Sequence, residues 1–392
     1  MARMARCFMG LGHEVQIITT EEEGDWFGRL AAEGFEVFHI PLHPLGAIFQ
    51  ARKVGAWLRA REFNLLFLFH AKLAQAALRM LPDDVVVIPT IRLDDPVIYQ
   101  IGTSSAQFWN AILGNSQLVC ERTSAIVGGR PVICIPNGIE QPSPERLKSR
   151  RGHGSPLELL YLGRLAEHKG VRQLPSILQE CGRRLDCRLR VVGSGEEKPW
   201  LERQFSELDL CDRVTFKGVL PPAAVFDQML DAHVLLLPTL AEGMPNVLLE
   251  AQACGCVPVA SDLPGITDAA IVDARTGILV PTGDVSAFAE SIARLANDAG
   301  LWASMSAAGP PWITQTFSME RLRRDYARLV EDSMSGAFPL PTPRRSLLPI
   351  DLGLLSWRDI MPARLKDWLR PLCVWRRRQQ PQEVRSVGRA SQ

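Results

Sequence analysis

Residues 234–262 read VLLLPTLAEGMPNVLLEAQACGCVPVASD, and the predicted fold rests on this stretch. The apolar run 234–238 is typical of a strand that is covered on both faces of a parallel sheet. Pro245 suits a helix start, because the N–H that proline lacks is unpaired there anyway, and Gly255 suits the helix end. A second apolar strand follows at 257–260. Strand, loop, helix and strand in this order predict a doubly wound α/β domain.

Two carboxylates frame this unit, Glu242 in the loop and Glu250 within the helix. The loop at the carboxyl end of a parallel strand is where such sheets bind ligands. Free N–H groups at the helix start, residues 246–248, attract an anion such as phosphate. A carboxylate accepts hydrogen bonds from neighbouring sugar hydroxyls. The unit therefore suits a ligand with a sugar at each end and phosphate between, and two exposed glutamates beside an ordinary helix are the alternative.

A second loop carries two cations. Residues 163–170 read GRLAEHKG and follow the apolar strand 157–162. Arg164 and Lys169 suit a diphosphate, because arginine presents a fork of donors and lysine a point charge. Ordinary surface charges are the alternative interpretation.

The stretch EGMPNVLLEAQACGCVPVAS resembles the signature of glycosyltransferase family 4, the glycosyl transferases group 1, which are retaining enzymes of the GT-B fold. Two glutamates separated by seven residues mark the donor site there, and GRLAEHKG resembles the family's second signature, Gly-Arg-x-x-x-x-Lys-Gly. The resemblance runs from about residue 10 to about residue 333 and is strongest over 159–292. It implies an α/β protein with two Rossmann-like, doubly wound domains facing a cleft.

The resemblance also implies roles for individual residues. Glu242 would orient the donor sugar, and Glu250 would bind the nucleotide ribose. Arg164 and Lys169 would stabilise the leaving diphosphate electrostatically, without a metal ion. The remaining donor-binding positions would be Gly243, Met244, Pro245, Asn246, Val247, Gly193, Gly195 and Gly218.

The acceptor side matches the family less completely. His70 follows the predicted strand 65–69, at the carboxyl end that faces the cleft. Arg92 occupies the approximate position where the family often has a catalytically important histidine. Arginine cannot accept a proton at neutral pH, although it can hold a phosphate or carboxylate. Asp94 and Asp95 are further cleft candidates, with loop capping as the alternative.

The N-terminal residues resemble the family only from its first helix onward. Residues 1–10 predict a helix and 15–20 a strand, whereas the family's first strand and glycine-rich loop have no counterpart in this sequence. The first strand is central in a doubly wound sheet, so we expect its two neighbours to be unpaired. We therefore expect a mis-assigned start or a truncated chain, which the upstream genomic sequence tests.

The sequence predicts four regions. They are an N-terminal acceptor-side Rossmann-like domain (1–140), a linker (141–156), a nucleotide-sugar-binding Rossmann-like domain (157–334) and a Pro/Arg-rich tail (335–392). The tail contains a short apolar helix pattern at 365–372 and three tryptophans, and it fits either a membrane interface or a disordered segment. The basic face of a helix predicted at 45–63 could likewise contact either anionic lipid or solvent. The three tail tryptophans are Trp357, Trp368 and Trp375.

Composition excludes several classes of function. A net charge of +1 over 392 residues argues against a general nucleic-acid binder. A dehydrogenase is disfavoured because no GxGxxG motif opens the chain. Nine cysteines without a CxxC pair predict neither a disulfide framework nor a metal site, so Cys254 and Cys256 are expected to be packing residues. We expect no metal and no cofactor, and a cytoplasmic location, with the inner face of the membrane as an alternative.

The resulting hypothesis is a metal-independent, retaining hexosyltransferase of cell envelope polysaccharide biosynthesis. It would transfer a sugar from a nucleotide-diphosphate sugar to a carbohydrate or lipid-linked acceptor. The alternatives are an inactive or truncated sugar-nucleotide-binding protein of the same fold, and a phosphorylase or epimerase. The sequence specifies neither the base, the sugar, the acceptor nor the oligomeric state.

Overall fold

The computed structural model describes residues 1–20, 26–343, 350–351 and 355. The tail tryptophans and the helix predicted at 365–372 lie outside these residues. The strands are β1 (Gln16–Thr19), β2 (Glu36–His39), β3 (Leu65–Phe69), β4 (Val86–Ile91), β5 (Ile112–Gly114), β6 (Val132–Cys134), β7 (Leu157–Leu162), β8 (Cys187–Val192), β9 (Val214–Gly218), β10 (Val234–Leu237), β11 (Val257–Ser261) and β12 (Ile278–Val280).

The α-helices alternate with these strands and then close the described chain. They are α1 (Ala2–Gly10), α2 (Trp26–Ala32), α3 (Ala47–Arg59), α4 (Lys72–Ala76), α5 (Pro96–Thr103), α6 (Gln117–Val127), α7 (Pro144–Lys148), α8 (Leu174–Gly182), α9 (Lys198–Glu207), α10 (Pro222–Leu230), α11 (Asn246–Ala253), α12 (Thr267–Ala270), α13 (Val285–Asn297), α14 (Ala299–Thr316) and α15 (Met319–Met334). In the part of the chain that the structure describes, each helix is too short or too polar to cross a bilayer.

A six-stranded parallel sheet carries the stretch 234–262. Its strand order is β12-β11-β10-β7-β8-β9, and β10 lies between β11 and β7. Every residue of β10 is buried, which confirms the prediction of a strand covered on both faces. Successive side chains of a strand point to opposite faces. Accordingly, Leu159 and Tyr161 lie in one core with α8 and α13, whereas Leu160 lies in the opposite core with α11.

The helix after β10 begins one residue later than predicted. α11 spans Asn246–Ala253, with Pro245 as its N-cap and Cys254 as its C-cap. Gly255 follows with φ of 70°, a left-handed conformation that glycine adopts without a Cβ penalty. The predicted helix stop is therefore confirmed. α3 is shorter than the predicted 45–63, since Gly46 precedes it with φ of 98° and ends the helical conformation on that side.

The strands before residue 140 form two parallel sheets. β3, β4, β5 and β6 pair in that order, and β1 pairs with β2 separately. The predicted strand 65–69 is confirmed, residue for residue, as β3. α1 and α15 pack on the four-stranded sheet through a core that includes Phe8, Ile88 and Tyr326.

The chain divides into two compact units. Among the described residues, the larger comprises 1–15, 65–70 and 86–340, and the smaller comprises 16–64, 71–85 and the described positions beyond 340. The larger unit contains the four-stranded and six-stranded sheets. The smaller contains β1, β2, α3 and α4, with a core that includes Ala51, Leu73 and Ala77. The domain boundaries predicted from the sequence, at 1–140, 141–156 and 157–334, stay predictions.

Candidate functional site

Four loops meet at the carboxyl edge of the six-stranded sheet. They follow β7, β8, β9 and β10, which is where parallel α/β sheets bind ligands. Backbone hydrogen bonds join each loop to a neighbour, so the loops form one continuous rim. The bonds run from Gly163 N to Val192 O (3.0 Å), Leu165 N to Ser194 O (2.8 Å), Gly193 N to Gly218 O (2.8 Å) and Leu240 N to His168 O (2.9 Å).

Glycines allow the rim loops to approach so closely. Gly170 has φ of 65°, and a Cβ there would overlap the carbonyl oxygen of Pro238. A Cβ at Gly193 would overlap the carbonyl oxygen of Gly163. Gly195 is pressed against Leu165 in the same way, whereas Gly218 faces open space. The structure therefore explains Gly193 and Gly195 by loop packing, and their predicted contact with a donor stays a prediction.

Lys169 and Glu242 are in direct contact across this rim. Lys169 Nζ donates to Glu242 Oε1 at 2.6 Å, and the two side chains are 21% and 9% exposed. Thr239 Oγ1 lies 3.3 Å from the same oxygen. Oε1 is thus held by two groups, and Oε2 is the carboxylate oxygen that makes no hydrogen bond with the described residues. Of the predicted catalytic residues, these are the two that the structure brings together.

Arg164 lies on the same loop but points elsewhere. Its Nη2 is 3.3 Å from Glu196 Oε2, and both side chains are more than half exposed. Its carbonyl oxygen accepts a hydrogen bond from the buried Tyr161 hydroxyl at 2.8 Å, which anchors the backbone. An ion pair this exposed is weak. The Arg164 backbone is therefore anchored, and its guanidinium is exposed and only weakly paired.

The start of α11 faces the same edge of the sheet. Its N-terminus has no side-chain cap, so the N–H groups of Asn246 and Val247 are oriented for an anion. Leu248 was predicted to share this role, but its N–H donates to Pro245 O at 3.1 Å. That prediction was wrong because the first turn of α11 forms a backbone hydrogen bond between residues three apart, and this bond uses the N–H of Leu248. Asn246 Oδ1 accepts a hydrogen bond from Asn137 Nδ2 at 2.7 Å.

The segment between Glu242 and α11 is packed against the loop after β4. A Cβ at Gly243 would overlap the carbonyl oxygen of Arg92, so glycine is required by this close approach. The N–H of Asp94 lies 3.4 Å from the carbonyl oxygen of Glu242. Met244 is buried. These contacts place Gly243 and Met244 as supports of the Glu242 loop, and their contact with a donor stays a prediction.

Glu250, the predicted ribose ligand, pairs with Arg3 of α1. Arg3 Nη2 donates to Glu250 Oε1, and the two side chains are 32% and 16% exposed. Burial raises the pKa of Glu250, and the charge and hydrogen bond of Arg3 oppose that shift. Burial thus disfavours the charged form of this carboxyl group, and hydrogen bonds to the carboxylate oxygens oppose that effect.

Arg92 links four parts of the larger unit. Its Nη1 donates to Asn137 Oδ1 and its Nη2 to the Tyr326 hydroxyl, each at 3.1 Å. Through Asn137 the chain of hydrogen bonds reaches Asn246 at the start of α11. Both Nη groups are therefore used within the protein. This geometry favours a structural role for Arg92, and its predicted acceptor-side role stays a prediction.

The other acceptor-side residues lie beside Arg92. His70 follows β3 directly and has a left-handed conformation with φ of 51°. Partial burial and then the Arg92 charge lower the pKa of His70, so its ring is neutral near pH 7. Asp95 caps α5 by accepting hydrogen bonds from two backbone N–H groups, which resolves its alternative in favour of capping. Asp94 pairs with Arg122 and accepts a hydrogen bond from Tyr99.

Sequence reasoning missed four residues that contact the site residues. Thr239 could have been found, because it lies two residues after β10 and precedes Glu242 in the same loop. Arg3, Asn137 and Tyr326 carry no local signal for their contacts, since their partners are far away in sequence. Arg3 and Glu250 are separated by 247 positions, and Arg92 and Tyr326 by 234.

Cys254 and Cys256, at the end of α11, are both buried in the core beneath the site. Burial raises the pKa of Cys254 to about 12, so its thiol stays protonated. Over residues 1–20, 26–343, 350–351 and 355, no three His, Cys, Asp or Glu side chains cluster as metal ligands would. Independence from metal ions stays a prediction.

Part of this chain is similar to known proteins. Residues 156–298 match the family described as Glycosyl transferases group 1. A GDP-mannose-dependent alpha-(1-6)-phosphatidylinositol monomannoside mannosyltransferase from Mycolicibacterium smegmatis is 31% identical over 212 residues, or 50% of this chain and 54% of the relative. The capsular polysaccharide biosynthesis glycosyltransferase CapM of Staphylococcus aureus is 30% identical over 167 residues, or 41% and 42% of the two chains. The matched part is thus about half the length of these curated relatives.

The likeness to solved structures extends further along the chain. The crystal structure of Anabaena Alr3699/HepE in complex with UDP-glucose matches 84% of this chain and 96% of its own, with a TM-score of 0.71 at 18% identity. At that identity the likeness establishes the fold alone. The chain therefore contains the glycosyl transferases group 1 region over residues 156–298 and has the GT-B fold.

Proposed function

We propose that this protein is a glycosyltransferase that moves a hexosyl group from a nucleoside-diphosphate sugar to a carbohydrate or lipid-linked acceptor. The observation that carries the proposal is the Lys169–Glu242 pair on the rim of the six-stranded sheet, beside the uncapped start of α11. A cation, free N–H groups and a carboxylate then lie along one edge. These are the groups that a sugar diphosphate requires.

Each residue of the proposed donor site has a separate role in the reaction. Lys169 and the N–H groups of Asn246 and Val247 stabilise the negative charge that grows on the leaving diphosphate. Arg164, whose exposed guanidinium is only weakly paired with Glu196, adds a fork of donors to the same group. Glu242 uses Oε2 to orient a hydroxyl of the donor sugar, and Glu250 holds the ribose. The chemistry is electrostatic, so the proposal requires neither a metal ion nor a cofactor.

The finer points of the proposal rest on resemblance. Retention of configuration follows from the family that the two signatures resemble. A role in the cell envelope is supported by the mannosyltransferase of Mycolicibacterium smegmatis and by CapM, whose names specify a phosphatidylinositol mannoside and a capsular polysaccharide. A cytoplasmic location, with contact at the inner face of the membrane, accords with such acceptors.

A donor screen tests the proposal. UDP-, GDP- and ADP-hexoses are added to the purified chain, and binding is measured as a shift in Tm, because a ligand that binds only the folded state stabilises it. The donor that binds is then incubated with EDTA, with or without carbohydrate acceptors. Released nucleotide is measured, and the anomer formed is assigned by NMR. Lys169→Met is the test variant. Lys198→Met is its matched control, since Lys198 pairs with Glu202 on the exposed side of α9.

We expect one donor to raise Tm, and sugar release or transfer to persist in EDTA with retained configuration. Lys169→Met should lower turnover by about a hundredfold or more, as the loss of one charge-stabilising donor does elsewhere, while Lys198→Met leaves it unchanged. A protein that binds a donor but neither hydrolyses nor transfers it would instead be a sugar-nucleotide-binding protein of the same fold. A protein that binds no nucleotide sugar would contradict both.

A further inference from the structure

Arg3 covers the carboxylate that the proposed function assigns to ribose. It lies in the first turn of α1, and its Nη2 donates to Glu250 Oε1. Its other terminal nitrogen, Nη1, is buried and has no hydrogen-bond partner among the described residues. A buried guanidinium donor without an acceptor is costly, because the lost contact with water is not replaced. Arg3 therefore has an unused N–H beside the proposed nucleotide site.

The pairing of Arg3 with Glu250 leaves one donor of the guanidinium unused. Nη2 donates to the carboxylate, whereas Nη1 has no acceptor among the described residues. Burial of Glu250 outweighs its attraction to Arg3, since the pKa of the carboxyl is raised and not lowered. A guanidinium with an unused donor favours an additional anion.

We propose that Arg3 is a ligand of the diphosphate of a bound nucleotide. In the free protein it pairs with Glu250. When the ribose hydroxyls bind Glu250, Arg3 exchanges that carboxylate for a diphosphate oxygen. This inference rests on the proposed function, and it adds a residue outside the two signatures to the donor site.

The chemistry of a nucleotide makes the exchange feasible. The diphosphate is attached to the 5′ carbon of the ribose, so a guanidinium that reaches the ribose carboxylate reaches the first phosphate by changing its rotamer. The ribose hydroxyls are neutral donors to the Glu250 carboxylate. The phosphate is a charged acceptor, and it replaces the carboxylate that Arg3 gives up. The planar fork of arginine also matches phosphate geometry. Every charged group therefore keeps a partner in the bound state.

The exchange predicts opposite effects on two related ligands. A nucleoside must displace Arg3 from Glu250 without offering it an anion. A nucleoside diphosphate displaces Arg3 and receives it. Removing the guanidinium should therefore favour the nucleoside and disfavour the diphosphate. A residue that merely covers the site would affect both ligands in the same direction.

Calorimetric titration of the wild type, Arg3→Gln and Glu250→Gln tests this inference. The ligands are UDP, GDP and ADP with their nucleosides uridine, guanosine and adenosine. For the base that binds, we expect Arg3→Gln to weaken the diphosphate roughly tenfold to a hundredfold, the value of a lost charge-assisted hydrogen bond. The nucleoside should bind Arg3→Gln at least as tightly as the wild type. Arg146→Gln is the matched control, because Arg146 forms an ion pair with Asp227 on the surface of the same unit.

The outcomes separate this inference from the proposed function. If Arg3→Gln binds the diphosphate as tightly as the wild type while Glu250→Gln does not, Arg3 is only a cover and the inference is wrong, although the proposed function stands. If the wild type binds none of the three diphosphates, both are wrong. Should Arg3→Gln fail to fold, Arg3→Lys keeps the charge without the fork, and it should weaken the diphosphate by a smaller factor. An unchanged diphosphate affinity in Arg3→Lys would then count against the inference.

Discussion

Lys169 and Glu242 form an ion pair between two loops that follow neighbouring strands of the six-stranded sheet. The charged atoms are 2.6 Å apart although the residues are 73 positions apart in the chain. The carboxylate is almost completely buried, so the lysine compensates a charge that has little contact with water. The pair therefore stabilises the folded protein even in the absence of a donor.

A double-mutant cycle measures this coupling. Lys169→Met leaves a buried carboxylate uncompensated and should lower Tm by about 5 °C, from the cost of breaking a buried pair and the usual response of Tm. Adding Glu242→Gln removes that charge, so the double variant should recover much of the loss. Tm values from calorimetry for the wild type, both single variants and the double variant check this. Strictly additive losses would mean that the two side chains do not interact.

Gly170→Ala should distort the rim and abolish donor binding. Its Cβ would overlap the Pro238 carbonyl oxygen, and φ of 65° already disfavours a side chain. Gly128→Ala is the matched control, because Gly128 has φ of 57° but faces open space. We expect the control to lose about 1 kcal/mol and to keep its ligand affinity. Tm and donor titration of both variants check this. Equal losses in the two variants would show that the backbone angle, and not the contact, matters.

Glu250→Gln should stabilise the ligand-free protein at neutral pH relative to acid pH. Burial raises the pKa of Glu250, so the folded protein holds that proton more tightly than the unfolded chain does. The stabilisation by Glu250 is then complete below pH 4.5 and is lost as pH rises through the raised pKa. Glutamine stays neutral throughout. Tm of the variant minus Tm of the wild type should therefore be more positive near pH 7.5 than near pH 5.

If the wild-type carboxylate had an ordinary pKa, the Tm difference between variant and wild type would be the same at both pH values. That result would contradict the prediction. Glu250→Gln should also lose affinity for the nucleotide ribose. Gains in stability that accompany losses in binding are typical of residues placed for a ligand. An unchanged nucleotide affinity would contradict the role proposed for Glu250.

The Arg92 link should contribute stability through Tyr326. Tyr326→Phe removes one hydrogen bond to a charged group and leaves the buried ring in place, at a cost of about 2 kcal/mol. Arg92→Lys cannot make both bonds, and the two changes should be less than additive because they remove the same contact. Tm values of both single variants and the double variant check this. Donor binding should change little, since neither residue is proposed to contact the nucleotide.

Much of the fold was predictable because its signals are local. The run 234–238, Pro245 and Gly255 specify strand, helix start and helix stop through burial and backbone chemistry within a few residues. The strands at 65–69 and 157–162 were predicted with their observed bounds for the same reason. The pairing of Arg164 and Lys169 with one anion was a weaker inference. The structure places Lys169 against Glu242 and turns the Arg164 side chain towards Glu196, and their shared anion stays a prediction.

By itself the sequence determined the α/β elements, the order of the loops at the carboxyl edge of the sheet and the residue types that suit a sugar diphosphate. The tertiary structure alone decided which of those residues meet. Arg3 lies on Glu250, and Arg92 lies between Asn137 and Tyr326, although no periodicity or spacing relates them. The physical reason is that secondary structure follows from neighbours in the chain, whereas the partner of a charged side chain depends on how strands and helices pack.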